Sequence, residues 1–228
     1  MRMNHKELLD QYGISLGLPL DNDRTILIDC MDTIVTRDVS LDSLLSLWSK
    51  GMGKEFNIYT KFLLNYRRNV VLSAMHNTVQ IEEIYGEIYN HCHYFGLIDP
   101  MITKDYFVQK AHHIEMDIEL CHQHLIHETI TFLRKEKSSG RKVYCVSDFR
   151  LPGTDIKSFF SHKGIEDLFT GVFSSSDFGK TKKAGDFYRC VLSEINMKPS
   201  ECIMIGDNMK SDCINASING IKSYLFKR

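Results

Sequence analysis

The chain lacks the features that would place it in a membrane, on a nucleic acid or in an oxidising compartment. No segment approaches the roughly 18 consecutive apolar residues of a membrane span, and the N-terminus lacks the apolar stretch of a signal peptide. The 28 Lys and Arg residues nearly balance the 29 Asp and Glu residues, so no global field favours nucleic acid. The seven cysteines form no C-x-x-C pair, which favours reduced thiols. We therefore expect a soluble, cytoplasmic protein.

Short apolar runs that end in a polar residue have the composition of buried parallel strands. Helical patterns at 127–140 and 184–195 lie between the later runs, and Gly140 stands where the first of these helices would stop. This alternation predicts an α/β fold with a doubly wound, Rossmann-like parallel sheet. The predicted strands are 25–30, 142–147, 171–176, 202–207 and 222–226.

Residues 37–127 differ from the rest of the chain. They contain little Gly or Pro and several stretches of helical period, including 41–48, 81–92 and 105–125. A crossover between parallel strands needs only about a dozen residues, so this segment is far longer than a connection. We predict an all-helical cap at 37–127, inserted into a discontinuous core domain of residues 1–36 and 128–228.

The ends of the predicted strands carry the residues that could do chemistry. In doubly wound sheets, ligands bind outside the carboxyl ends of the strands. These ends offer Asp29, Ser147, the lysines just beyond Ser176, and Asp207. Together they supply a nucleophilic carboxylate, a hydroxyl group, a cation and a second carboxylate, which are the parts that phosphoryl transfer needs.

Four stretches of the chain together resemble the signature motifs of the haloacid dehalogenase (HAD) superfamily, in the same order. They are LIDCMDT, VYCVSD, GKTKKAGDFY and IMIGDNMKSD. The resemblance implies Asp29 as the nucleophile and Ser147 and Lys182 as catalytic phosphate-binding residues. It also places Thr33 and Asp148 at the phosphate.

The same resemblance implies a Mg²⁺ site. Its ligands would be the carboxylates of Asp29 and Asp207 and the backbone carbonyl of Met31, with Asp212 binding directly or through water. A backbone carbonyl tolerates any side chain at its position, so Met31 does not prevent metal binding.

Met31 stands where phosphatases of this superfamily usually hold an Asp that protonates the leaving oxygen. Methionine has no titratable proton and cannot do this. Asp32 follows directly; in an extended strand its side chain would face the opposite way, which we favour, whereas a tight turn could bring it round. The expected result is nucleophilic attack with impaired protonation of the leaving group.

A closer resemblance links the chain to a bacterial branch of HAD hydrolases that are associated with glycosyltransferases of surface-polysaccharide synthesis. The stretches IDCMDTIVTRDV and SSSDFGKTKKAGDFY are similar to that branch, as are the spaced acids Glu115 and Glu119. This resemblance implies a possible glycosyltransferase partner and a role in polysaccharide biosynthesis. It identifies no substrate.

Three functions are therefore compared. The first is a Mg²⁺-dependent hydrolase that acts through an aspartyl-phosphate on a small phosphorylated metabolite, such as a sugar phosphate. The second is a catalytically weak or silent module that binds a phosphorylated ligand or a glycosyltransferase. Halide-releasing hydrolysis is the third and weakest, because dehalogenases of the superfamily do not keep the acids Asp207 and Asp212 as metal ligands.

The inserted segment is also rich in histidine. His113, Asp117, Cys121 and His124 fall near one face of a predicted helix, and zinc could use such ligands. The helix is polar all round, however, and no standard zinc spacing is present. We therefore favour a solvated or inter-helix polar face.

Overall fold

The computed structural model describes residues 5–19, 24–74 and 80–227. Residues 1–4, 20–23, 75–79 and 228, which the predicted domain boundaries include, lie outside the described residues. By internal contacts the chain divides into two compact units. We call them the core unit, Met1–Thr36 with His124–Arg228, and the helical unit, Arg37–Gln123.

Six strands of the core unit form one parallel sheet in the order β1-β8-β7-β2-β5-β6, and β3 with β4 forms a separate two-stranded sheet. The predicted doubly wound parallel fold is confirmed, and all five predicted strands are present. The sequence missed β1, because two residues are too short to show a strand pattern. In chain order the strands are β1 Ser15–Leu16, β2 Thr25–Ile28, β3 Val35–Arg37, β4 Gln123–Leu125, β5 Val143–Ser147, β6 Gly171–Ser174, β7 Cys202–Gly206 and β8 Lys222–Leu225.

Helices flank this sheet. The side chains of β2 and β7 are buried along their whole length, as expected for central strands covered on both faces. Leu27 and Met204 pack with Phe187 and Val191 in one apolar cluster. The α-helices are α1 His5–Tyr12, α2 Leu41–Phe56, α3 Thr60–Ala74, α4 Ile81–Tyr94, α5 Lys104–His122, α6 His127–Ser138, α7 Gly153–His162, α8 Ser175–Phe178, α9 Phe187–Glu194 and α10 Asn215–Ile218.

The helical unit contains α2 to α5. Ser40 caps the start of α2 by accepting a hydrogen bond from the backbone N–H of Ser43, and Thr103 caps α5 in the same way. The predicted helical stretch 105–125 is too long at its end. Residue Gln123 turns into extended backbone and begins β4, which pairs with β3, so the helix ends at His122.

The buried face of α5 carries the two glutamates that the sequence singled out, and each has an arginine partner. Glu119 accepts two hydrogen bonds from Arg37, at 2.9 and 2.7 Å. Glu115 pairs with the fully buried Arg67 and accepts a hydrogen bond from the hydroxyl of Tyr85 at 2.9 Å. The guanidinium carbon of Arg67 lies 3.9 Å from the centre of the Trp48 ring. We call Arg67, Glu115, Tyr85 and Trp48 the arginine cluster.

The cysteines are all free thiols, and five of the seven are buried. Burial raises the pKa of Cys92 and of Cys202 to about 11, which keeps both thiols protonated at neutral pH. None of the helices within the described ranges is long and apolar enough to span a bilayer.

Candidate active site

Three strand ends meet at one edge of the sheet. β2 lies between β7 and β5, so the residues that end or follow these strands are neighbours. Asp29 follows β2, and its backbone N–H donates to the carbonyl of Ile205 in β7 at 2.9 Å. Ser147 is the last residue of β5, and Asp207 directly follows β7. The topology therefore brings together the acids and the hydroxyl group that the sequence placed at strand ends.

Asp29, Asp207 and Asp212 form a carboxylate cluster. One oxygen from each lies within 4.8 Å of the others, and among the described residues this is the group of three that could hold a metal ion. Asp212 lies in a π-helix, Met209–Ile214, and its carboxylate accepts a hydrogen bond from the backbone N–H of Asn208 at 3.0 Å. Hard cations such as Mg²⁺ prefer oxygen ligands of this type.

Gly206 makes room for this arrangement. A Cβ atom at position 206 would overlap the carboxyl group of Asp212. Any side chain there would displace an acid of the cluster, so the last residue of β7 has to be glycine for Asp212 to lie where it does.

Lys182 is the cation of the cluster. Its side chain is fully buried, and Nζ donates to Oδ1 of Asp29 and, at 2.7 Å, to Oδ1 of Asp212. Lys182 lies in the loop between α8 and α9, residues 179–186, which we call the lysine loop. The carboxylate of Asp148 accepts hydrogen bonds from the backbone N–H groups of Lys182 and Lys183 in this loop. The contacts of Lys182, Asp148 and Ser147 with a phosphate stay predictions.

The charges of the cluster do not balance. The pKa of Asp29 is raised to about 8, because burial and the charge of Asp212 raise it more than Lys182 lowers it. Burial alone would lower the pKa of Lys182, but Asp212 and Asp29 hold it well above its usual value. Three carboxylates thus face one ammonium group. A bound cation would offset the excess negative charge.

The chain turns sharply after Asp29. β2 ends at Ile28, and the backbone N–H groups of Ile34 and Val35 both donate to the carbonyl of Cys30. Asp32 lies within this turn at a positive φ of 56°, so the extended conformation that would carry it to the opposite face is wrong.

The carboxylate of Asp32 is exposed. It accepts a hydrogen bond from the hydroxyl of Thr36 at 2.9 Å. Burial raises the pKa of Asp207, and the charges of Asp212 and then Asp32 add to that effect. Asp32 therefore contributes negative charge close to Asp207. Its service as the proton donor, which the sequence makes the less favoured alternative, stays a hypothesis.

Two hydroxyl groups of the motifs are buried. Ser147 and Thr33 are each at most 1% exposed, and Oγ1 of Thr33 has no hydrogen-bond partner among the described protein atoms. A buried hydroxyl without a partner costs free energy, so Oγ1 is free to bond an added group. Contact of Thr33 with a phosphate stays a prediction.

The sequence did not identify two residues that hold the backbone near Lys182 and Asp212. Asn215 donates from its side-chain amide to the carbonyls of Lys182 and Lys183, and the hydroxyl of Tyr188 donates to the carbonyl of Ser211 at 2.8 Å. Tyr188 is the last residue of the third motif stretch and Asn215 follows the fourth by three positions, but the motifs attach no role to either residue. Their contacts depend on how the loops pack, which no spacing rule reveals.

The histidine-rich face of α5 shows no comparable centre. His113 and Asp117 are exposed and form a pair at 3.5 Å, and the side chain of Cys121 is exposed as well. Within the described part of the chain, no group of three ligands gathers on this helix.

Comparisons with known proteins agree with the fold and the motifs. A family model described as a haloacid dehalogenase-like hydrolase matches residues 24–216. A 2-haloacid dehalogenase from Pseudomonas syringae pv. Tomato DC3000 superposes with a TM-score of 0.62 at 13% identity, over 89% of this chain and 85% of that one.

Two further solved structures are similar at comparable levels. A HAD phosphatase from Thermococcus onnurineus has a TM-score of 0.57 at 16% identity, over 90% of this chain and 86% of that one. A protein described as a HAD-hydrolase from Bacillus subtilis, bound to magnesium, has a TM-score of 0.58 at 15% identity, over 89% and 88% of the two chains. Likeness at these identities concerns the fold.

Proposed function

Because the chain belongs to the haloacid dehalogenase-like hydrolases, we propose that it is a Mg²⁺-dependent phosphohydrolase of a small phosphorylated metabolite, such as a sugar phosphate. The main support for this proposal is that Lys182 Nζ contacts Asp29 and Asp212, and that a third carboxylate, from Asp207, lies in the same cluster. A nucleophilic acid, a cation and spare carboxylates in one place fit phosphoryl transfer better than halide release.

The residues present fit a divalent cation. Asp29, Asp207 and Asp212 would hold it, with the backbone carbonyl of Met31, and their three carboxylates exceed the single ammonium group that faces them. When bound, Mg²⁺ would supply positive charge that stabilises the phosphoryl oxygens.

The reaction then depends on the chain's own groups. Asp29 attacks phosphorus as the P–O bond to the leaving oxygen breaks, which forms an aspartyl-phosphate, while Ser147 and Lys182 hold the phosphoryl oxygens. Water then hydrolyses the aspartyl-phosphate, which releases phosphate and restores the carboxylate of Asp29. The side chain of Met31 offers no proton to the leaving oxygen. Good leaving groups should therefore react faster than alkoxides. Substrate selection is the role we assign to the helical unit.

The test compares p-nitrophenyl phosphate with glycerol phosphate in Mg²⁺. We expect the aryl ester to react faster, and Asp29→Asn to reduce turnover by at least about 1,000-fold, since the nucleophile is lost. Glu128→Gln, an exposed acid at the start of α6, serves as the matched control. Equal rates on the two esters, or full activity of Asp29→Asn, would contradict the mechanism.

Met31 also favours a second candidate, a module that binds a phosphorylated ligand or a glycosyltransferase of polysaccharide synthesis without turnover. Calorimetric binding of inorganic phosphate, with no sustained release from either ester, would support it. Mg²⁺-dependent turnover that Asp207→Ala abolishes would exclude it. Halide release from a 2-haloacid in chelator would instead favour the dehalogenase reaction.

A further inference from the structure

The backbone of the lysine loop is held by one side chain from the second motif, Asp148, and by one that lies just beyond the fourth motif, Asn215. The carboxylate of Asp148 accepts hydrogen bonds from two successive N–H groups, that of Lys182 at 2.7 Å and that of Lys183 at 3.0 Å. Such bonds to an ionised acceptor are stronger than neutral ones. Asp148 directly follows β5, so these bonds tie the loop to the strand that carries Ser147.

Asn215 holds the same two residues by their carbonyl groups. Its Nδ2 donates to the carbonyl of Lys182 at 2.8 Å and to that of Lys183 at 2.9 Å. Asn215 directly follows the π-helix that contains Asp212, so these bonds tie the loop to an element of the carboxylate cluster.

The four bonds involve both peptide N–H groups and both carbonyl groups of one dipeptide. Asp148 accepts from the two N–H groups, and Asn215 donates to the two carbonyl groups, so the two contacts are chemically complementary. They restrict the backbone from which the long side chain of Lys182 extends. Nζ then has to reach only Asp29 and Asp212.

We propose that Asp148 and Asn215 form a clamp that positions Lys182 in the candidate active site. The proposal rests on the proposed function and assigns both as positioning residues that act through the lysine. A carboxylate with both oxygens occupied by N–H donors is also poorly suited to a phosphate, which carries the same charge sign.

The chain contains two matched controls. Asn219, one helical turn beyond Asn215, donates from its side-chain amide to the carbonyl of Gly185 at 3.0 Å and to that of Asn215 at 2.8 Å, and these contacts do not involve the side chain of Asn215. Lys183 takes part in the clamp only through its backbone, and its side chain is exposed. Asn219→Ala and Lys183→Ala therefore leave the clamp bonds in place.

The experiment is a double-mutant cycle with Lys182. We measure kcat/KM for p-nitrophenyl phosphate in Mg²⁺ and the affinity for inorganic phosphate by calorimetry. Asp148→Ala and Asn215→Ala should each lower kcat/KM by about 10-fold or more, as expected for a misplaced group, while both controls match the parent. In a Lys182→Ala background the clamp substitutions should have no further effect.

Several outcomes would overturn the clamp. They are clamp variants as active as the controls, or an equal loss with and without Lys182, which would reveal a purely structural role. If a clamp variant fails to fold by circular dichroism, the milder Asp148→Asn and Asn215→Ser take its place in the same cycle.

Failure of the proposed function would look different, because the parent itself would then release no phosphate from either ester. In that case urea unfolding decides the inference. A coupling near zero between Asn215→Ala and Lys182→Ala in the free energy of unfolding would overturn the clamp, whereas a clear coupling would support it.

Discussion

Among the residues that the structure describes, each unit buries one cation among acids, and the surroundings of the two cations differ. In the helical unit, Arg67 faces the single carboxylate of Glu115 and lies against the ring of Trp48. In the core unit, the ammonium group of Lys182 contacts the carboxylates of Asp29 and Asp212. The carboxylate of Asp207 lies in the same cluster.

The charges of the arginine cluster therefore match one to one, and an aromatic face covers the guanidinium group. The carboxylate cluster carries an excess of acid; burial and, to a smaller extent, the neighbouring acids raise the pKa of Asp29 to about 8 against the opposing effect of Lys182. Asp207 is exposed, whereas Asp29 and Asp212 are buried, and a partly buried excess of acid of this kind costs stability and is typical of a site that binds a further cation. We infer that the arginine cluster, whose charges match, has a structural role and that the carboxylate cluster, which has an excess of acid, has a functional one.

Met31→Asp should produce the largest change, and it acts on the core unit alone. If only the proton donor is missing, turnover of glycerol phosphate should rise by up to about 10²–10⁴-fold, the usual contribution of general acid catalysis. The measurement is phosphate release in Mg²⁺. Met31→Leu is the control and should leave the rate unchanged. No rise in a variant that still binds Mg²⁺ would show that another group is the donor or that turnover is not the role.

Arg67→Met tests the balanced cluster. Removing one partner of a buried pair leaves the other charge uncompensated, which costs about 3–5 kcal/mol of unfolding free energy. Arg68→Met is the matched control, since Arg68 pairs with Asp42 on the surface at 2.8 and 2.6 Å, a contact worth about 0–1 kcal/mol.

Urea unfolding should be followed by circular dichroism and by the fluorescence of Trp48, the only tryptophan of the chain. Equal destabilisation by the two arginine substitutions would mean that burial does not distinguish the pairs. The structural role of the arginine cluster would then lose its support.

Mg²⁺ should stabilise the protein through the carboxylate cluster. At a concentration 100 times its dissociation constant, a ligand of the folded state adds about 2.7 kcal/mol. We expect a rise in Tm that Asp207→Asn removes. Asp117→Asn, which changes an exposed acid of the helical unit, should retain the full shift. An unchanged shift in Asp207→Asn would place the bound ion elsewhere.

The smallest effect is a pH dependence of stability in chelator. The folded pKa of Asp29, about 8, exceeds the ordinary value of 3.8, so between these values the folded state keeps a proton that the unfolded state releases. The contribution of Asp29 to stability is thus fully present below about pH 4 and is lost as the pH rises toward 8.

Urea unfolding at several pH values checks this effect. Asn cannot titrate, so the unfolding free energy of Asp29→Asn relative to the parent should increase across this range. Parallel pH profiles for the two proteins would show that burial does not raise the pKa of Asp29.

The sequence predicted the parts of the molecule that depend on local pattern. Five strands follow from apolar runs, and the meeting of Asp29, Ser147 and Asp207 follows from their common position at strand ends. The end of α5 and the turn at Asp32 did not follow, because strand pairing and a left-handed residue override the local period.

The hydrogen bonds of Asp148 and Asn215 could not be predicted from the sequence either. They join side chains to the backbone of residues more than 30 positions away in the chain. Such contacts exist only once the loops have packed, and the four motifs say nothing of them.

The strand order also determines when the parts of this protein can form during synthesis. β2 is made early, but its neighbours in the sheet are β5 and β7. At about 5–20 residues per second, β7 follows β2 on the ribosome by on the order of 10 s. The helical unit is continuous in sequence and can fold in that interval, whereas the side of β2 that pairs with β7 stays without its partner strand. A nascent chain halted before β7 should therefore bind chaperones through this early strand.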